Sequence, residues 1–313
     1  MNVLITGGAG FIGSALAQAL LDEGCCVVLL DNFNDYYDPA LKQANVARLQ
    51  PTERVHLVEG DLRQPLDIER AFEIVPIQRV AHMAAMAGVR SAIPAEVYAA
   101  VNVMGTLHLL EAARRHGVEL FVMASTSSVY GETEAVPFVE TDSADRPLTP
   151  YAATKRAAEL LGHTYHRLHG MRVTVLRLFN VYGPRGRPDM MPMKLFHASQ
   201  TGAEVTLFNG GDIARDWTYV DDTVDGIVRA LHTPFGYEII NLGLGSPIPL
   251  RAFVEIVEGL TGRRIRTRAA PTPPSDPPIT FCSNEKARRL LGFAPQVNVE
   301  EGLARTWEWF RQL

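Results

Sequence analysis

The sequence predicts an α/β fold: a doubly wound parallel sheet with a smaller C-terminal α/β domain. Three observations carry that expectation. Short β-branched runs recur between amphipathic helical stretches, a glycine-rich turn directly follows the first run, and after about residue 180 the alternation loosens into Pro- and Gly-rich segments. Strands that alternate with helices are joined by right-handed crossovers, which cover both faces of a parallel sheet. Ligands of such sheets collect at the carboxyl ends of the strands.

The expected strands are NVLIT (2–6), CVVLLD (26–31), RVHLVEGD (54–61), RVAHMAA (79–85), LFVMAS (120–125) and VTVLRLFN (173–180). Helical periodicity marks SALAQALLDEG (14–24) and VMGTLHLLEAARRHG (103–117), the second ending at Gly117 as a C-cap. Beyond residue 180, AEVTLFNGG and EIINLG read as isolated strands, and LRAFVEIVEGLTG and EGLARTWEWFRQL as helices. APTPPSDPP, residues 270–278, holds too much proline for helix and reads as a loop. The division implied is a dinucleotide-binding domain over 1–180 plus a helix near 215–233, and a second domain over 181–214 and 234–313.

Composition narrows the function classes. The 313 residues are 47% hydrophobic and 21% charged with a net charge of -5, an ordinary globular mixture that argues against a nucleic-acid surface. The basic run RRIRTR places Arg264, Arg266 and Arg268 on one face of a strand and reads as a solvated edge. Three cysteines, Cys25, Cys26 and Cys282, are too few for a disulfide framework and lack metal-ligand spacing. His163, His166 and His169 drift around a helix rather than converge, so no metal is expected. With neither a leader pattern nor an 18-residue apolar span, the expected location is the cytoplasm, with no membrane partner.

The stretch ITGGAGFIG opens a helix straight after the first strand, with Gly7, Gly10 and Gly13 at three-residue spacing. Glycine permits the tight turn and lets backbone amides approach a pyrophosphate at the positive helix end, the Rossmann arrangement. Asp31 ends the second strand 24 positions after Gly7, where a carboxylate can accept ribose hydroxyls and would repel the extra phosphate of NADP. The cofactor expected is therefore NAD. Asp61 and Leu62 of EGDL could frame the adenine, and the small Ala84 and Ala85 of AHMAAMAGVR let the backbone lie against the cofactor. Tyr151 and Lys155 of YAATK share one helical face, and an ammonium beside a phenol favours the phenolate, bringing the tyrosine towards working as a base.

Taken together, TGGAGFIG, HMAA, STSSVYG, YAATK, NVYGP and RDWTYVDD resemble the extended short-chain dehydrogenase/reductase family over nearly the whole chain. Within it the sequence is most similar to nucleotide-sugar epimerases, particularly the UDP-glucuronate 4-epimerases, which share GRPDM (186–190) and NDYYDPALK (34–42). The resemblance implies a UDP-sugar substrate, a homodimer formed through helices near 96–116 and 151–169, and transient oxidation at C4. Tyr151 would be the base, Thr126 would hydrogen-bond the sugar O4, and Lys155 would hold the nicotinamide ribose. Phe11, Ile12 and Asn32 join the cofactor set, Asn102 is assigned to the cofactor and the sugar pocket, and Ser127 and Ser128 shape that pocket.

Related decarboxylases carry Glu at the position of Ser128, and related 4,6-dehydratases carry Asp-Glu in place of Ser127-Ser128, so two serines favour simple epimerisation. Ser127, Ser128 and Arg187 are the candidates for gripping a uronate carboxylate, the Arg through its planar fork, Arg215 is the candidate for the diphosphate with an ion pair to Asp216 or Asp221 as its structural alternative, and Arg90 and Lys194 complete the substrate set. Asn180 stands where the glucuronate enzymes usually have threonine and fits a neutral sugar, so UDP-glucose/UDP-galactose epimerisation is the alternative. Decarboxylation and a non-catalytic dinucleotide sensor are the remaining rivals.

Overall fold

The computed structural model describes residues 1–49, 52–89, 93–133 and 135–313. The first half runs β1 (Asn2–Thr6), α1 (Phe11–Asp22), β2 (Cys26–Asp31), α2 (Pro39–Leu49), β3 (Val55–Glu59), α3 (Pro65–Glu73), β4 (Arg79–His82), α4 (Ala95–Tyr98), α5 (Thr106–Arg115), β5 (Leu120–Thr126) and α6 (Pro150–His169). The second runs β6 (Val173–Leu178), β7 (Asn180–Tyr182), α7 (Met191–Thr201), β8 (Val205–Phe208), β9 (Ala214–Tyr219), α8 (Val220–His232) and β10 (Tyr237–Leu242). It ends with β11 (Pro247–Pro249), α9 (Leu250–Thr261), β12 (Thr267–Ala270), β13 (Ile279–Thr280), α10 (Glu285–Leu291) and α11 (Val299–Phe310).

Seven parallel strands form the main sheet in the order β10-β6-β5-β4-β1-β2-β3. The chain leaves β1 towards β2 and later returns to β4 on its other side, so the crevice between their carboxyl ends is a topological switch point. Successive side chains of a strand enter opposite layers. Val3, Ile5, Val27 and Leu29 pack with Leu16 and Leu20 of α1. Leu4, Val28 and Leu30 pack on the other face with Ile68 and Phe72 of α3, Leu109 of α5 and Ala158 of α6. Both faces are dry, which is why these strands read as near-continuous apolar runs rather than as alternating ones.

Three features depart from expectation. The EIINLG segment is not an isolated strand of the C-terminal region; as β10 it pairs in parallel with β6 and extends the main sheet, so the 234–313 boundary drawn from sequence cuts off a strand of that sheet. A second sheet, β11-β9-β13 with β7 on β9, had no clear signal because its strands are two to six residues long and two of its positions are proline. The helix expected over 103–117 begins at Ala95 and is interrupted by a π-helical turn at Ala99–Gly105, a feature common at functional sites. On the surface Arg264 meets Glu258 at 2.7 Å and Arg268 meets Glu204 at 3.4 Å, a solvated basic edge.

Candidate active site

The main cavity, about 830 Å3, opens above the switch point and is walled by the carboxyl ends of the sheet on one side and by β7, β9 and the loop before β13 on the other. Its floor is the turn between β1 and α1. Gly7 adopts a φ of +67°, and a Cβ there would lie 2.8 Å from the Ala84 amide nitrogen. Gly13 packs so closely that a Cβ would lie 2.1 Å from the Gly7 carbonyl oxygen. Gly10 caps α1 with no side-chain hydrogen bond, so the first amides of the helix, at Phe11, Ile12 and Gly13, face the cavity as an anion cradle. Replacing Gly13 with alanine should therefore weaken NAD binding at least about ten-fold, read by equilibrium dialysis, since the turn must open to admit the methyl group. Retention of native affinity would show that the cradle tolerates that movement.

Asp31 stands at the end of β2 with Oδ2 accepting from the Ala9 amide (3.1 Å) and Oδ1 from the Phe33 amide (2.9 Å). Burial pushes its carboxyl up, opposed by the Phe33 amide and the Lys42 ammonium. Each oxygen retains a lone pair, so two ribose hydroxyls can still be accepted. Asn32 donates to Asp61 at 2.9 Å, and Arg63 grips the same carboxylate. Against the cost of burial, these partners hold Asp61 down to about 2. Leu62, Ala84 and Ala85 complete this end of the wall. The donors and acceptors match a dinucleotide: amides at a helix end for two phosphates and a carboxylate at the strand end for a ribose.

The chemical end is built by α6 and β5. Thr149 caps α6, accepting from the Ala152 amide at 3.2 Å, and Pro150 fixes the first turn. That cap places Tyr151 at the mouth of the helix with Lys155 one turn deeper and only 3% exposed. Thr126 ends β5; its hydroxyl accepts from the Ser128 amide and donates to the Ser128 hydroxyl, both at 3.2 Å. Ser127 and Ser128 follow in a short 3-10 turn, and all three hydroxyls line the cavity.

The electrostatics differ from the sequence expectation. Burial pushes the Tyr151 phenol above its usual value, opposed by the Arg187 guanidinium and the Thr126 hydroxyl. Burial also pulls the Lys155 ammonium down to about 8, opposed by Glu159. The packing around both groups penalises either charge, and the partner that lowers the phenol most is Arg187, with the Thr126 hydroxyl next.

Arg187 comes from the GRPDM stretch, which the fold brings beside Tyr36 and Tyr37 of NDYYDPALK. Its Nε and Nη2 donate to the two oxygens of Asp189 at 2.9 and 2.8 Å, and the guanidinium sits 5.5 Å from the Tyr36 ring centroid. Tyr36 in turn donates to Asp189 at 3.1 Å. Asn180 and Lys194 line the same end.

Two expected contacts need correction and one lies outside view. Asn102 does not line the cavity: its amide is committed to the Met86 backbone (2.8 and 3.1 Å) and to Thr154 (3.2 Å), so it braces the loop after β4 from behind. Arg215 does line it, but pairs with neither Asp216 nor Asp221. It donates to Asp276 at 2.6 Å and to the Pro277 carbonyl at 2.8 Å, strapping down the proline-rich loop, because β13 pairs beside β9 and draws that loop over it. Arg90 falls outside the described residues. Tyr36, Asp189 and Ser125 stand inside the stretches NDYYDPALK, GRPDM and STSSVYG without a role of their own expected for them, and for Glu159 and Arg177 the sequence offers only the one-turn spacing from Lys155 to Glu159.

A family model described as the NAD dependent epimerase/dehydratase family matches residues 3–243. Among curated proteins, the UDP-glucuronate 4-epimerase of Thermodesulfobacterium geofontis is 41% identical over 99% of this chain and 96% of its own length. Among solved structures, the UDP-glucuronic acid 4-epimerase of Bacillus cereus, in complex with UDP-glucuronic acid and NAD, superposes with a TM-score of 0.93 at 34% identity, covering 100% of this chain and 99% of that one. The UDP-glucose 4-epimerase of Thermotoga maritima, with UDP-glucose, superposes at 0.91 and 31% identity over 100% and 99%.

Proposed function

The chain belongs to the NAD dependent epimerase/dehydratase family, and from that premise we propose that it interconverts UDP-glucuronate and UDP-galacturonate by epimerisation at C4. The observation that carries this reading is the convergence of Thr126, Tyr151 and Lys155 with two non-acidic serines and Arg187 on one cavity. NAD, when bound, supplies reversible hydride exchange with the sugar carbon.

The remaining work falls to the chain. The cradle at Gly7, Gly10 and Phe11 to Gly13 holds the pyrophosphate, and Asp31 the adenosine ribose, with Asn32, Asp61, Leu62, Ala84 and Ala85 around them. Lys155 steadies the other ribose. Tyr151 Oη removes the proton from O4 and later returns one, while the Thr126 hydroxyl holds that oxygen in line. Ser127 and Ser128 bind the sugar but exchange no protons near neutral pH, which suits a ketone that must survive. Arg187 offers the substrate carboxylate the edge of its fork that Asp189 does not fill, where the Met190 sulfur, 3.7 Å away, is only a weak acceptor. Lys194, Arg215 and the loop that Arg215 straps form the diphosphate end. In this scheme the main sheet carries NAD, and β7, β9 and the segments around α7 and α9 carry the nucleotide sugar.

Incubation of the purified protein with each UDP-sugar, followed by chromatographic resolution of the products, tests the proposal. Exchange of the uronate pair is expected, and turnover of the glucose pair alone would overturn it. That second reading is favoured by Asn180, which lines the sugar end.

A homodimer is supported by exposed apolar side chains on the two helices expected to pair: Met104, Leu160 and Leu168 are 46, 52 and 70% exposed. Leu160→Glu should shift a dimer to monomer in solution scattering, and an unchanged mass would place the interface elsewhere. A cytoplasmic setting is supported by three unpaired thiols. Among the described residues no helix is long and apolar enough to cross a membrane.

A further inference from the structure

Behind the chemical end of the cavity, between α6 and the strands β5 and β6, lies a buried ionic network with no role in the scheme above. Glu159 is fully buried on α6, one turn beyond Lys155 and on the same face. Its Oε1 accepts from the Ser125 hydroxyl at 2.5 Å and from Arg177 Nε at 3.0 Å; its Oε2 accepts from Arg177 Nη2 at 2.9 Å and Arg156 Nη1 at 2.8 Å. Ser125 immediately precedes Thr126 on β5 and sits opposite Arg177 of β6 in the sheet register. One carboxylate thus joins the helix bearing Tyr151 and Lys155 to the strand bearing Thr126.

We infer that Glu159 is a positioning residue for the reaction: it ties the proton-transfer helix to the strand whose hydroxyl holds the sugar oxygen, and it sets a carboxylate one helical turn from Lys155. The inference rests on the roles proposed for Tyr151, Lys155 and Thr126. Burying two charges is costly, and a hydrophobic replacement of the pair would serve a purely structural need as well. What such a replacement could not supply is negative charge one turn from a buried lysine.

The groups around Lys155 point the same way. From β4, His82 faces it, but burial and the ammonium itself hold the imidazole down to about 3, and its ring nitrogens are taken by Thr6 and Thr106, so it stays neutral. Tyr151 is neutral at rest, raised by burial. On the far side of Glu159 lie Arg177 and Arg156, the Tyr130 ring 4.6 Å from the Arg177 guanidinium, and Tyr237 of β10, raised to about 12. Glu159 is thus the group that opposes the effect of burial on Lys155, which already sits at about 8.

Glu159→Gln tests this. NAD and UDP-sugar should still bind, while kcat near neutral pH falls about ten-fold and the alkaline limb of its pH profile moves about one unit towards acid, because an ammonium without its anion deprotonates sooner. A packing role alone would lower kcat without moving the limb. Should the single variant fail to fold with Arg177 left unpaired, Glu159→Gln with Arg177→Met removes both charges, and its limb must move in the same direction by a smaller amount because the neighbouring cation is lost as well. A folded variant of either kind with the native profile overturns the inference. Lys155→Met separates it from the reading beneath: native activity there sinks the role of Lys155, whereas loss there with a native Glu159→Gln profile sinks only the positioning role.

Discussion

Tyr151→Phe lowers kcat about a thousand-fold and leaves NAD and UDP-sugar affinity close to native. The size follows from losing the group that carries the proton in both directions, a contribution of about 10^2 to 10^4 for a positioned acid/base. The selectivity follows from what is kept. The ring packs against Tyr98 with centroids 6.1 Å apart, and phenylalanine preserves that contact. The helix cap at Thr149 and the Lys155 side chain do not depend on the phenolic oxygen. Burial holds the phenol above its usual range in this structure, so its use as a base depends on the Arg187 guanidinium and the Thr126 hydroxyl that pull against burial. Rapid-quench turnover and NAD titration on the same sample decide the matter: a kcat within ten-fold of native, or a parallel loss of NAD binding, removes Tyr151 from its assigned role.

That dependence on tertiary partners marks the limit of what could be read from the chain. β1, β2 and β5 were legible because a strand buried on both faces is apolar nearly throughout, whereas β3, at the sheet edge and half exposed, was legible from its β-branched run before the EGD turn. The cradle was legible because glycine spacing is local: Gly7, Gly10 and Gly13 meet within one turn. β10 was misplaced because pairing with β6 is set by the crossover through α8, and no feature of YEIINL itself distinguishes an edge of the main sheet from a strand elsewhere. The partner of Arg215 was missed for a similar reason, since Asp276 lies 61 residues away and comes near only through the pairing of β13 with β9. Asn102 entered the site only through the family resemblance, and the π-turn that carries it points its amide at the Met86 backbone.

Arg187→Met cuts kcat/KM for UDP-glucuronate about a hundred-fold, and the loss on UDP-glucose, if that sugar turns over, is at least ten-fold smaller. Hydrogen bonds to a charged partner contribute about 1.5–3 kcal/mol each, so losing a carboxylate held by one fork accounts for two decades. Two effects must be separated. The guanidinium also pulls the Tyr151 phenol down, so its removal weakens the base for every substrate. The ratio of the two losses cancels that shared part and isolates recognition of the acid. Asp189 sharpens the contrast: it now neutralises Arg187 and accepts from Tyr36, and without the guanidinium its charge faces the incoming uronate and repels it. A neutral sugar meets no such penalty. Chemistry adds a second readout, because the 4-ketone of a uronate is a β-keto acid that loses CO2 once the bond to the carboxylate aligns with the carbonyl π system. A carboxylate freed from Arg187 reaches that alignment more often, so the variant should release CO2 and form a pentose product where the native protein does not. Equal losses on both sugars with no CO2 would mean that Arg187 serves Tyr151 alone and that the acid group is held elsewhere.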